Sequence, residues 1–427
     1  RVLGTRHTRS GPSKDSTGTG CSVLGPQTLV HAQSISAARV LLTVPKVLAQ
    51  VPSSPSAEGT PRAIAYNAAK PDGTAPAARL VCSKPSSQQD GGPQWTKHLG
   101  AAVVALSASP LVTAAALADG SLHWFDTASG ARLSAPLMRE ALAAHLRCAH
   151  AFCLLVDAVG VLSVWDVGRM LAVVDHVSIA PLLYCAELRA PTPPEEEEED
   201  RDAQGCIRAP RRHRPSVALT AVDVSDAGAP LLSFSDGRSY TYHACLHTWL
   251  RIASPQDHRA SDHYTRPEVS DAPVEEGKPL VVARTTQTPL GYLQELGYHQ
   301  MHATQALNGG RHQRVSARTL HDPAVRRSVT LDHVEQLLRA AAAIGSRKDV
   351  VRYADVLARL LAQSGDSQRA AYWLGSLLGP ALAQGTCPAD ADADCWSPCL
   401  AGVPKRQLLR RMLPLLAANR EMQALVT

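Results

Sequence analysis

Aromatic side chains are scarce in this chain of 427 residues, which holds six Trp, nine Tyr and three Phe. Long apolar runs are lacking as well. No uninterrupted run reaches the roughly 18 residues that a membrane-spanning helix needs, so we expect no membrane partner. The net charge of +5 is small for this length, and both signs are mixed along the sequence. This balance does not indicate nucleic acid as the main partner, and we expect no direct sequence-specific DNA binding.

Catalytic motifs are also lacking. The sequence has no P-loop, no dinucleotide-binding glycine pattern and no nucleophile elbow. A hydrolase that had lost its motif would still need carboxylates or histidines that converge in one pocket, and no such grouping is visible. The sequence therefore predicts a protein that is not an enzyme and that binds no cofactor.

Potential metal ligands occur in three groups, none of them complete. A structural zinc site usually needs four ligands, commonly in two close pairs, and neither the cysteines nor the histidines of these groups provide them. The alternating aspartates lack the central glycine and the closing glutamate of a calcium loop. We therefore expect no metal site. The groups are Cys387, Cys395 and Cys399; His145 and His150; and Asp390, Asp392 and Asp394.

What the chain does contain is a repeated turn followed by a strand. In each copy an aromatic and a polar residue stand about five positions after a turn glycine, and the copies recur at roughly 40 residues, as in the blades of a WD-repeat propeller. The pattern predicts a binding scaffold. The pairs are Phe125 and Asp126 after Gly120, Trp165 and Asp166 after Gly160, and Tyr242 and His243 after Gly237.

The first two-thirds of the chain read as a β domain. Residues 1–37 are rich in Ser, Gly, Thr and Pro and are predicted to be disordered. Residues 38–285 form the predicted WD-repeat-like domain, which begins with a strand at 38–44 and keeps one late strand at 279–283. Inside it, residues 191–215 carry an acidic run followed by a basic one, and we interpret them as a solvated insertion loop in the third repeat.

Helices are predicted in the last quarter. Residues 286–328 read as a linker and 329–427 as a helical domain. Thr330 is a good N-cap for an amphipathic helix that Gly345 ends. Ser346 and Asp349 are spaced like the two residues of a capping box, with Asp in place of the usual Glu or Gln. The predicted helices begin near Thr330, Ser346, Ser367 and Pro404. The predicted fold class is thus β plus α: propeller-like blades followed by a C-terminal helical bundle.

A set of short stretches is distinctive in its order and spacing. The stretches are 162–167, 235–237, 330–337 with 340–342, 353–354, 377–380, 405–409, 413–414 and 419–420. Together they resemble the C-terminal half of the HIRA/Hir family of histone chaperone subunits, and the resemblance covers about residues 38–427. Members also carry an N-terminal propeller and a short basic motif that docks a second chaperone. Neither is evident before residue 38, so we interpret the chain as a truncated or divergent member.

The resemblance implies a nuclear subunit of a complex that deposits histones independently of DNA replication and represses some transcription. It implies homotrimer assembly, binding to a large helical-repeat subunit, and indirect contact with core histones. A pair similar to Trp165 and Asp166 is associated with self-assembly in the family. The residues alone also allow Trp165 to be a blade-packing residue, as Phe125, Asp126 and Tyr242 are expected to be.

One alternative function stays open at this point. A propeller followed by helices is also found in scaffolds of vesicle coats and trafficking complexes. A long regular helical repeat would favour that class. The apolar stripes and the helix-ending residues of this sequence predict only about four helices.

Overall fold

A computed structural model describes residues 41–53, 62–68, 77–83, 94–189, 217–254, 261, 288–307, 322–378 and 397–426. The predicted disordered segment 1–37, the insertion loop 191–215 and the predicted strand 279–283 lie outside these residues. Within the described residues, no helix is both long and apolar enough to cross a membrane.

Four antiparallel sheets of four strands each form consecutive blades, and each sheet follows the order of its strands along the chain. Blade 1 contains β1 (Gln50–Pro52), β2 (Arg62–Asn67), β3 (Ala78–Ser83) and β4 (Trp95–Leu99). Blade 2 contains β5 (Val103–Ala108), β6 (Val112–Leu117), β7 (Ser121–Asp126) and β8 (Leu137–Met138). Blade 3 contains β9 (Ala143–Ala149), β10 (Phe152–Asp157), β11 (Val161–Asp166) and β12 (Leu171–Ser178). Blade 4 contains β13 (Leu219–Val224), β14 (Pro230–Phe234), β15 (Ser239–His243) and β16 (Thr248–Ala253).

The first strand of each blade lies against the first strand of the next, β1 with β5, β5 with β9 and β9 with β13. The fourth strands are therefore the outer ones. Gly120, Gly160 and Gly237 each precede the third strand of a blade and have φ of +84°, +75° and +80°, a conformation that glycine adopts without steric cost. The three aromatic and polar pairs consequently end β7, β11 and β15, the same position in three blades.

The strand predicted at 38–44 is wrong in its described part, because residues 41–48 form no strand and the first strand is β1. Leu42 instead packs into the core between blades 3 and 4. Its backbone N–H donates to the carbonyl oxygen of Ala158 at 2.7 Å. The apolar residues that suggested a strand therefore anchor a segment that runs from blade 3 towards blade 1.

Seven helices are described. α1 (Ala180–Arg189) follows β12 directly and was not predicted. The others are α2 (Pro289–Leu307), α3 (Pro323–Ala343), α4 (Arg347–Ser364), α5 (Ser367–Leu378), α6 (Lys405–Ala417) and α7 (Arg420–Val426). A short hairpin, β17 (Cys399–Leu400) and β18 (Val403–Pro404), precedes α6.

The linker prediction is corrected by α2, which occupies much of the segment 286–328. Leu290, Leu293 and Leu296 recur every three residues on this helix and are buried. The many polar residues of the segment concealed this narrow apolar stripe, which belongs to the protein core. The remaining boundaries of the predicted domains stay predictions.

The predicted N-cap Thr330 is also wrong. Helix α3 begins seven residues earlier, where Asp322 caps it by accepting from the Ala324 N–H at 2.8 Å and Pro323 fills the first turn. Thr330 lies inside the helix, and its hydroxyl donates to the Arg326 carbonyl oxygen at 2.8 Å, the local bond that makes threonine tolerable there. The predicted cap Ser346 and the spacing to Asp349 are confirmed at the start of α4.

The helices and blade 4 share one hydrophobic core. Leu231, Ile252 and Ala253 of blade 4 belong to the same buried cluster as the apolar faces of α2 to α6. Helices α2 and α3 both pack on β16, the outer strand of blade 4. The blades and the bundle confirm the predicted fold class, and they are joined through this common core.

Candidate protein-interaction site

Trp165 lies at the end of β11 in the apolar layer between blades 2 and 3, and it is 8% exposed. Its ring meets the ring of Trp124 edge-on, with 5.6 Å between centroids. The guanidinium of Arg139 covers it at 5.4 Å from the ring centroid, within the range of a cation–π contact. Trp165 therefore packs between two blades, with Arg139 against its ring.

Asp166 fixes the turn that follows β11. Its carboxylate accepts a hydrogen bond from the Arg169 N–H at 3.0 Å and lies 3.7 Å from the Arg169 side chain. Met170, the last residue of this turn, has a φ of +56°, which is uncommon for a residue other than glycine. The carboxylate of Asp166 thus helps to hold a constrained turn whose last residue faces solvent.

The turn opens onto an exposed apolar strand edge, which we call the blade 3 edge: Met170, Leu171 and Val173. These side chains are 54%, 58% and 36% exposed. Strand β12 is at the end of its sheet, so one side of its backbone has no neighbour within that sheet. An apolar edge strand of this kind favours pairing with another chain. These residues could not be predicted as a site from the sequence, since nothing in their pattern separates an outer strand from an inner one.

The matching pairs in the other blades have the same geometry. Phe125 is fully buried between blades 1 and 2, and Tyr242 is half-buried between blades 3 and 4. The polar member of each pair accepts from the backbone N–H three residues later: Asp126 from Ser129 at 2.7 Å and His243 from Leu246 at 3.2 Å. Each of these pairs therefore combines an aromatic side chain that packs between blades with a polar side chain that caps the next turn.

Two pairs resemble a nucleophile and its base: Ser121 with His123, 3.0 Å apart, and Ser261 with His333, 2.8 Å apart and both buried. Arg132 donates to Nδ1 of His123 at 2.9 Å, so that nitrogen carries no proton. The Ser121 hydroxyl donates to Asp119 at 2.6 Å, and Nε2 of His123 must therefore donate to Ser121. With its proton on Nε2, the imidazole cannot accept the proton of Ser121, as a catalytic base would have to.

The potential metal ligands do not converge in the part of the chain that the structure describes, where no three such side chains form a group. His145 lies within β9, and His150 lies in the next turn and pairs with Asp226 at 3.2 Å. Cys399 is exposed. The other cysteines and the aspartates of the predicted groups lie outside the described residues, as does the basic run 208–214.

The comparison with protein families decides the relationship. A family model described as "Hira: TUP1-like enhancer of split" matches residues 130–377, more than half of the chain. The chain belongs to the Hira family. Protein HIRA of Takifugu rubripes is 25% identical over 352 residues, which cover 82% of this chain and 28% of that protein. Protein HIR1 of Coccidioides immitis is 23% identical over 376 residues, 80% of this chain and 32% of that protein.

The chain thus spans less than two-fifths of the length of the curated relatives it matches. The crystal structure of HIRA(644-1017) covers 90% of this chain and 97% of its own length, with 21% identity and a TM-score of 0.59. This similarity supports the fold of the blades and bundle. The match of the family model confirms the resemblance to the Hira family that was first noted from the short stretches.

Proposed function

We propose that this Hira-family chain is a non-enzymatic scaffold subunit of a replication-independent histone chaperone complex, acting in nucleosome assembly and transcriptional repression in the nucleus. Family membership supports the complex, and the repeat architecture supports the scaffold role. In the described residues, Ser121 and His123 have their hydrogen bonds in the wrong direction for catalysis, and the other such pair, Ser261 and His333, is buried. The family relationship favours this proposal over a trafficking scaffold.

The observation that carries the scaffold role is the blade 3 edge. An exposed apolar strand edge can pair with a second copy through backbone hydrogen bonds and apolar side chains. We propose that the chain self-associates here, as a trimer by analogy with the family. Because Trp165 is buried and Asp166 caps the turn, we assign them a supporting role: they hold Met170 and Leu171 in place and do not themselves provide most of the contact.

Light scattering on the purified chain tests this assignment. Leu171→Asp places a charge on the exposed edge, so we expect it to convert the oligomer to a monomer and to leave the melting temperature nearly unchanged. Leu246→Asp is a matched control because Leu246 is 61% exposed on blade 4, and it should remain oligomeric. A wild-type chain that is strictly monomeric, or an oligomer that tolerates Leu171→Asp, contradicts the assignment.

The proposed partners are the large helical-repeat subunit of the complex and, through it, core histones. The test is a pull-down from nuclear extract, followed by immunoblots for the helical-repeat subunit and for core histones. It compares the wild type with the double variant Trp165→Ala, Asp166→Ala. We expect the variant to recover less of both partners. The trafficking class would instead be supported if the wild type recovers neither partner and if the chain localises to cytoplasmic vesicle coats in cells.

A further inference from the structure

Helix α5 has an apolar face directed to solvent. Its buried side carries Trp373, Leu374 and Leu377, as expected for a helix that packs on a core. The opposite side would ordinarily be polar, yet Tyr372 and Leu378 are 64% and 67% exposed. Ala371 and Gly375, exposed beside and between them, are small, and the polar Gln368 is exposed one turn earlier. We call this surface the α5 face: Ala371, Tyr372, Gly375 and Leu378.

The α5 face borders a groove of about 590 Å³ between α3 and α5. Trp373 forms its floor and is held in place, since its indole N–H donates to Glu335 at 2.8 Å. Gly375 adds room beside the groove, because a Cβ built on it meets nothing within 4 Å. A second helix could therefore approach the backbone of α5 closely at this point.

The carboxylates in and beside the groove already have a cationic partner. Arg369 donates to Asp332 at 2.7 Å and lies 3.3 Å from Asp366 and 3.8 Å from Glu335. One guanidinium offsets only part of the negative charge of three carboxylates. The groove therefore stays negative around Arg369, which disfavours an anionic group of a ligand at this end.

Arg339 is different, because it has no carboxylate partner among the residues that the structure describes. Its guanidinium stacks on the Trp373 ring at 4.3 Å from the centroid and donates to the Tyr372 hydroxyl at 3.3 Å. Stacking orients the planar group and leaves part of its N–H edge open to a carboxylate. Lys405 is a second cation nearby, because its Nζ donates to the carbonyl oxygen of Ser376 in α5 at 3.3 Å; burial, and then the charge of Arg339, lower the pKa of Lys405.

We infer that the α3–α5 groove binds an amphipathic helix of a partner protein, with its apolar side on the α5 face and one of its carboxylates on Arg339. Apolar side chains that approach every three to four residues match the spacing of Ala371, Gly375 and Leu378 along α5. Duplex DNA fits less well, because it presents a charge about every 1.7 Å and would bring phosphates against the three carboxylates around Arg369. The inference deepens the scaffold role and does not depend on self-association.

The test uses a displayed library of random peptides, selected on the full chain, and one selected peptide as the labelled probe. We expect selected sequences to have apolar residues at helical spacing and a carboxylate at one fixed position relative to them. Gly375→Arg should weaken binding of the probe at least about tenfold without lowering the melting temperature, because arginine favours a helix more than glycine does. Arg339→Glu should have the same effect on binding by reversing the charge.

The matched controls are Gly100→Arg, at another glycine whose added Cβ meets nothing within 4 Å, and Arg410→Glu, on the exposed side of α6. Both should bind the probe like the wild type, as should Leu171→Asp. The inference is overturned if no amphipathic sequence with such a carboxylate is enriched, or if the probe binds Gly375→Arg normally. It is also overturned if duplex DNA displaces the probe from the wild type, or if Gly375→Arg changes the oligomeric state.

Discussion

At the scale of single residues, His123 couples the stability of blade 2 to pH. Burial, and then the positive charge of Arg132, lower the pKa of His123 below its usual value of about 6.5. Burial raises the pKa of the Asp119 carboxyl, but the hydrogen bonds from Ser121 outweigh it, and the net effect lowers that pKa. The folded blade therefore favours a neutral imidazole between a cation and an anion.

This arrangement predicts a loss of stability in mild acid. The unfolded chain takes up a proton on His123 at a higher pH than the folded chain does. The stabilisation by neutral His123 is therefore complete above about pH 6.5 and is lost as the pH falls through the lowered pKa. Urea unfolding between about pH 7 and about pH 5 should show a steeper loss for the wild type than for His123→Gln. Equal slopes would show that His123 does not contribute.

At the scale of elements, Asp349 joins the starts of two helices. It is fully buried at the N-terminus of α4. Its carboxylate accepts from the Ser346 hydroxyl at 2.8 Å and from the Leu290 N–H, in the first turn of α2, at 3.3 Å. Unpaired N–H groups and partial positive charge collect at helix N-termini, so one carboxylate stabilises both helices and fixes their mutual position.

Replacing this carboxylate should loosen α2 as well as α4. We expect Asp349→Ala to lower the free energy of unfolding by about 1–3 kcal/mol, because it leaves buried donors without their acceptor. Ser346→Ala, which removes the cap of α4 alone, should cost about 1 kcal/mol. Chemical denaturation measures both, and hydrogen exchange at Leu290 should increase only in Asp349→Ala. Unchanged exchange at Leu290 would contradict the shared role.

The same two helices show what the sequence could and could not predict. Ser346 and Asp349 stand three positions apart, so local spacing predicted the start of α4. Leu290 lies 59 residues from Asp349, and no local pattern connects them. In the same way, the turn glycines and the aromatic column predicted the third strands of the blades. The exposed edge at Leu171 could not be predicted, because exposure depends on which strand is outermost in the assembled sheet.

At the scale of the whole molecule, the helical bundle packs directly against blade 4. A Cβ built on Gly297 of α2 would lie 2.4 Å from the carbonyl oxygen of Gly237, in the turn before β15. A Cβ on Gly345, just after α3, would lie 2.3 Å from the Cβ of Ala227 in the turn before β14. Contacts this close leave no room for a residue larger than glycine at either position. Together with the common core, they predict that blade 4 and the bundle unfold as one unit.

Gly297→Ala tests this coupling, because two effects of opposite sign compete. Alanine is better than glycine inside a helix by about 1 kcal/mol, but here its methyl group would force α2 away from Gly237. We expect the contact to dominate, so the melting temperature should fall and amide exchange should rise in α2 and β15 together. Gly375→Ala makes the same change on an open helix surface and should leave stability equal or higher. If Gly297→Ala also stabilises the chain, or if exchange rises in α2 alone, then the bundle and blade 4 are not coupled through this contact.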